Sequence, residues 1–260
     1  MTEDTSPENL RKFLESDDPA LVMMGLSMAK GQGETPIIAG IATWYDDAKI
    51  RMYAKKILRK NSPEEYNIVN DNWETKYNKI KTWDSIVNRV ENLFEKVKTT
   101  KINTPYFWKF ALNRSQTGGI PYNVENEIVG FGEGFEYDTW HLAIISILVR
   151  FNNEEAAAII LDSIDFYDGK KYWNRRDKKY NIIDSRKFYA GLIFIGKPAV
   201  PLLLKKMEND GTISDEIIEA LGNINIDDLR AIGPLIKALN EEKDSDIVTE
   251  ALKKLGHEVE

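Results

Sequence analysis

Cysteine is absent from this chain of 260 residues, and histidine occurs only twice, at His141 and His257. No disulfide, thiol nucleophile or cysteine-ligated zinc site can therefore form. Two histidines also fall short of a His-rich metal centre, and no carboxylate cluster at metal-ligand spacing stands out. Long apolar runs are missing too. The best, Ala143–Val149, covers about a third of the ~20 residues that a membrane-spanning helix needs. The opening MTEDTSPENL is acidic and polar, without the pattern of a secretory signal. These absences lead us to expect no cofactor, no metal and no membrane partner, and a cytoplasmic compartment fits the lack of cysteine.

What is present is a core-forming composition: 42% of residues are hydrophobic and 30% charged, a balance that argues against disorder. The charge is unevenly placed. Residues 1–135 carry 18 basic and 19 acidic side chains, and residues 190–260 carry 8 basic and 14 acidic ones. Nearly all of the net charge of −7 thus belongs to the C-terminal part, and an acidic chain is disfavoured from coating nucleic acid or anionic lipid non-specifically. Two stretches run the other way. Lys49–Lys60 holds Lys49, Arg51, Lys55, Lys56, Arg59 and Lys60 with no acid. Lys170–Lys187 holds eight basic residues against Asp177 and Asp184, interleaved with Tyr172, Trp173 and Tyr180. The ordinary meaning of such runs is a solvated helix face or loop.

The C-terminal third repeats itself. Ala199–Met207 (AVPLLLKKM) lines up with Ala231–Leu239 (AIGPLIKAL) at an offset of 32, and Asp215–Leu221 with Asp246–Leu252 at an offset of 31. Each half has the three-to-four-residue apolar spacing of a helix, with Pro201 and Pro234 near helix starts and Asp215 and Asp246 at the positive end of the next. Ala220 and Ala251 recur where paired helices must come close. Upstream, Ser185–Gly196 places Ala190 thirty residues before Ala220, and Asp138–Phe151 followed by Glu154–Ile164 has the same form. Asp18–Gly25 lines up with Asp47–Ala54 at an offset of 29, and Ser6-Pro7 and Ser62-Pro63 read as helix starts.

On these residues the chain resembles the HEAT-repeat family, in particular the short HEAT-like repeats of the phycobilisome-lyase type. The resemblance covers 185–256 best, then 6–60 and 138–165. It implies an all-α fold: an α-solenoid of antiparallel helix pairs, each burying its apolar stripe against its neighbours. The division expected is repeats over 1–62, a divergent helical segment over 63–137, and repeats again over 138–260. Within 103–137, Gly118, Gly119, Gly130, Gly132 and Gly134 rule out continuous helix, so an insertion or long loop is expected, with room for short strands around Glu127–Val129.

Reaction chemistry finds little support. Gly130-x-Gly132-x-Gly134 lacks the Lys-Ser/Thr of a phosphate loop and the spacing of a dinucleotide fingerprint. His257-Glu258 resembles the dipeptide of HEAT-type deoxyhypusine hydroxylases, which would need several such pairs on successive repeats. His141 reads as a core or groove histidine, and no serine elbow accompanies it. No catalytic residue is assigned. The leading expectation is a non-enzymatic protein-interaction scaffold contacting an unknown protein partner through Lys49, Arg51, Lys55, Lys56, Trp173, Arg175, Arg176 and Arg186. The alternative is nucleic-acid binding, since alkylpurine DNA glycosylases are built on HEAT-like repeats and this chain has six tryptophans and two basic runs. Phycobilin lyase-like or chaperone activity, suggested by the repeat's name alone, ranks last.

Overall fold

A computed structural model describes residues 7–16, 18–29, 34–45, 47–70, 83–112, 122–124, 127–129, 134–167, 171–174, 179–182, 184–209, 214–224, 229–240 and 245–257. The described residues form fourteen α-helices and four short strands. Two compact units divide the chain: residues 1–144 with 170–182, and residues 145–169 with 183–260.

The first unit opens with α1 (Pro7–Leu14), α2 (Pro19–Met28), α3 (Thr35–Trp44), α4 (Ala48–Asn61) and α5 (Pro63–Asn70). Their starts have local causes. The Asp18 carboxylate accepts from the amide of Ala20 at 2.8 Å, and that of Asp47 from Lys49 at 2.6 Å, so the two aligned aspartates are both N-caps. Helices α1 and α5 begin at Pro7 and Pro63, where the missing amide hydrogen costs nothing. Neighbours pair, α1 with α2 and α3 with α4, and alternate helices also touch, α2 with α4 and α3 with α5.

Helix α3 is the buried axis of this unit. Every residue from Ile37 to Trp44 is buried, as expected of a helix apolar on all sides. It also packs on α7 (Pro105–Leu112), which follows α6 (Trp83–Val97). Trp44 meets the ring of Phe107 edge-on at 6.1 Å and that of Trp140, in α8 (Gly134–Val149), at 5.5 Å. The indole N–H of Trp140 donates at 2.7 Å to the carbonyl of Ala111, in the last turn of α7, where helical carbonyls lack partners of their own. The indole of Trp108 donates to Asn103 at 3.1 Å. Two ion pairs join α1 and its end to their surroundings: Lys109 to Glu15 at 2.6 Å, and Arg11 to Glu34 at 3.4 Å.

The chain departs from pure helix in a four-stranded sheet. Strands β1 (Tyr122–Val124) and β2 (Glu127–Val129) pair antiparallel, as do β3 (Lys171–Asn174) and β4 (Lys179–Ile182). Between them β2 runs parallel to β3, with Glu127 opposite Lys171 and Ile128 opposite Tyr172. The glycine-containing insertion and the basic aromatic segment, set apart in sequence, are therefore parts of one sheet. All four strands belong to the first unit.

The second unit holds α9 (Glu154–Tyr167), α10 (Arg186–Ile195), α11 (Val200–Asn209), α12 (Asp215–Ile224), α13 (Ile232–Asn240) and α14 (Ser245–Lys254). Helix α10 packs on α12 and α12 on α14, while α11 and α13 pack against the helices that follow them. The burial pattern corrects the repeat register. Gly191, Ala220 and Ala251 are buried at equivalent positions, while Ala190 shares the outer position of Glu219 and Glu250. The upstream offset to α12 is thus 29, not 30. The cause is steric, because a Cβ on Gly191 would stand 2.5 Å from Cγ2 of Ile145. The same closeness recurs at Gly222, where a Cβ would lie 2.8 Å from both Cα and Cβ of Ala251. Helix α14 ends at Gly256 with φ of +77°, and His257 N–H reaches back to Leu252 O at 2.9 Å in a Schellman closure. His257 thus serves helix termination, and Glu258 lies outside the described residues.

Two substitutions test these contacts. Gly222→Leu should destabilise the protein by about 1–3 kcal/mol because backbone faces it, whereas Asn223→Ala, one residue on and exposed, should stay within about 0.5 kcal/mol in denaturant melts. Trp140→Phe, which keeps a ring but leaves the Ala111 carbonyl without its donor, should cost about 1–3 kcal/mol by the same measurement.

Candidate interaction surface

Of the two basic stretches, the one on α4 has described side chains throughout. Its apolar residues Ile50, Ala54, Ile57 and Leu58 recur at helical spacing and are buried. That stripe turns Lys49, Met52, Lys56, Arg59 and Lys60 outward, and all five are exposed. Residues 49, 52, 56 and 60 form one ridge along the helix at steps of three and four. Eleven rises separate residues 49 and 60, so the ridge is about 16 Å long.

The cations on α4 separate into two kinds. Arg51 donates from Nη1 to the backbone carbonyl of Tyr45 at 2.5 Å, and so ties α4 to the end of α3. Arg59 lies over the ring of Tyr66 at 6.0 Å. The Arg51 guanidinium serves the fold, while that of Arg59 is exposed beside Tyr66. Lys49, Lys55, Lys56 and Lys60 form no ion pair among the described residues. Lys49, Lys56 and Lys60 are exposed and Lys55 is half-buried, and these four, without an ion pair among the described residues, are the chemically available part of this face. Met52 sits among them with 71% of its surface exposed, and Met24 of the adjoining α2 is exposed as well.

The other expected contact residues are placed differently. Trp173 lies in β3, opposite Tyr180 of β4, and its backbone belongs to the first unit. Arg175 and Arg176 lie outside the described residues. Arg186 belongs to the second unit, so the eight residues do not all fall on one compact body. Its guanidinium is committed locally: Nη2 pairs with Asp184 at 2.8 Å and Nε donates at 3.0 Å, while the amide of Arg186 donates to the same carboxylate. The side-chain hydrogen bond from Arg186 is the main cause holding the Asp184 carboxyl below its ordinary value.

Met52 and Phe194 are surface features that the sequence reading passed over. Phe194, in α10, is 78% exposed. Both were detectable. Met52 falls off the Ile50–Ala54–Ile57–Leu58 stripe, and the corrected offset of 29 places Phe194 opposite Asn223, an outward position. Conversely, Trp44, Trp108 and Trp140 are fully buried and offer no stacking platform to a nucleotide base. His141 is fully buried, as a core histidine is. Among the described residues no three His, Asp or Glu side chains converge as a metal site. No single described helix is long and apolar enough to cross a membrane.

No protein-family model matches this chain, and neither a curated protein nor a solved structure matches it.

The Arg186–Asp184 contact sets a measurable titration. In a carboxyl-carbon NMR titration the Asp184 midpoint should fall below the ordinary aspartate value, and Arg186→Ala should move it back up. Because the folded value is depressed, whatever stability the contact gives is present above the ordinary pKa of about 3.9 and is lost as pH falls through the folded value. An unmoved midpoint in Arg186→Ala would show that the pairing does not persist in solution.

Proposed function

We propose that the chain is a non-enzymatic protein-interaction scaffold of the HEAT-repeat type, its helix pairs stacked as a solenoid. The observation that carries this reading is the packing of alternate helices, α10 on α12 on α14, together with the pairing of α12 with α11 and of α14 with α13. Successive hairpins stacked in this way form an extended face with regularly placed outward positions, well suited to a large partner. The α4 lysines supply the chemical character of one such face. A protein partner with carboxylates facing Lys49, Lys55, Lys56 and Lys60 would give charge complementarity, and Met52 would supply apolar contact. Among the described residues, nothing assembles a nucleophile, a base and an oxyanion site, which leaves binding as the activity the surface supports.

The experiment compares the native chain with Lys49→Glu/Lys56→Glu. Both positions are exposed, so the variant should melt within a few degrees of the native chain. Proteins cross-linked to the native chain through α4 should be lost from the variant. Equal cross-linking by both would remove α4 from the contact surface. Duplex DNA or RNA binding that falls steeply between low and moderate salt, and that the variant lacks, would replace the protein partner with a nucleic acid.

A further inference from the structure

The lysine ridge of α4 has a counterpart in the same chain. Outward positions of the C-terminal helices recur at i, i+4 and i+8: Arg186, Ala190 and Phe194 on α10, Asp215, Glu219 and Asn223 on α12, and Asp246, Glu250 and Lys254 on α14. Because α10 packs on α12 and α12 on α14, these three ridges lie side by side. Two of their charges are already engaged, Arg186 by Asp184, and Glu250 by Lys254 at 2.9 Å. Asp215, Glu219 and Asp246 form no ion pair among the described residues. The C-terminal face thus presents three carboxylates without an ion pair among the described residues, and Phe194, 78% exposed, lies one to two turns farther along the same ridges.

The two faces match in kind. One offers four lysines and an exposed methionine, and the other offers carboxylates and an exposed phenylalanine, none of these charges being in an ion pair among the described residues. They also match in size. Helices pack about 8–10 Å apart, so three ridges span about 16–20 Å, against about 16 Å for the α4 ridge. Methionine against an aromatic ring is a favourable contact that tolerates an imperfect fit.

We propose that the partner of the α4 face is a second copy of this chain, which docks through the acidic outer face of α12 and α14 with Phe194 against Met52. The proposal rests on the scaffold reading and names the occupant of its surface. The two contact faces differ, so a singly joined pair keeps one free face of each kind, and growth continues until a ring closes, a reciprocal pair being the smallest, or a filament forms. Opposite charges concentrated on separate faces give an association that salt screens.

Sedimentation velocity of the full chain over a range of concentrations tests it. At about 50 mM salt the average mass should rise with concentration to that of a pair or beyond, and at about 500 mM it should return toward the 29.8 kDa monomer. Lys49→Glu/Lys56→Glu alone and Asp215→Lys/Glu219→Lys alone should each remain monomeric. Their equimolar mixture should associate again, because the native acidic face of one meets the native lysine face of the other and the two reversed faces are also opposite in charge. Met52→Asp, which alters no lysine, should weaken self-association at least tenfold, and serves if a charge-reversed chain fails to fold. A native chain that stays monomeric throughout overturns the proposal, as does assembly that persists in either charge-reversed chain. If the chain is monomeric while α4 still cross-links to other proteins, self-docking fails and the scaffold reading stands. If DNA or anionic vesicles retain the monomer through the same lysines, both fail.

Discussion

Close approach of helix backbones is the constraint on which the C-terminal unit depends. Helices α12 and α14 meet at Gly222 and Ala251, and α10 comes against Ile145 at Gly191, each with no room for a larger side chain. Such closeness lets the flanking residues Ile217, Ile218, Leu221, Val248 and Leu252 interdigitate and leave water almost completely. Without the small residues the helices would stand apart, and the same apolar side chains would surround voids. The outward ridges follow from this packing. Once the inner positions are fixed by sterics, positions 215, 219, 246 and 250 have nowhere to face but solvent.

The first unit meets the same requirement with aromatic bulk. Trp44, Phe107, Trp108 and Trp140 fill the space around α3, α7 and α8, and two indole N–H groups find oxygen acceptors. Large rings with a satisfied polar edge hold a site more rigidly than aliphatic filler would. This accounts for tryptophans that a compositional view could assign to ligand stacking. Arg51 has a similar lesson. A guanidinium in a basic run reads as a contact residue, yet its fork of donors suits a helix-end carbonyl, and the lysines beside it are left to carry the surface charge.

Much of the helical order was legible because its causes are local. The Asp18 and Asp47 caps, the prolines at helix starts and the apolar stripes of α4 and α12 are all readable within a few residues. What escaped depended on distance or on size. The pairing of β2 with β3 joins segments more than forty residues apart, and no periodicity within either announces it. The register of α10 went astray by one residue because Ala190 and Gly191 are adjacent small residues, and only the nearness of Ile145 distinguishes them. The exposed Phe194 was hidden by the same slip. The expected contact residues Arg175 and Arg176 lie outside the described residues.

The parallel pairing of β2 with β3 also governs the order in which the chain can mature. A protein synthesised from its N-terminus exposes residues 145–169, which belong to the second unit, before the strands at 171–182 that complete the first. The earlier body must therefore wait, with the edge of β2 uncovered, while a helix of the later one emerges from the ribosome. Vectorial synthesis and the spatial division of this chain are out of step, and the interval between them is when an unpaired strand is open to mispairing with a neighbouring nascent chain.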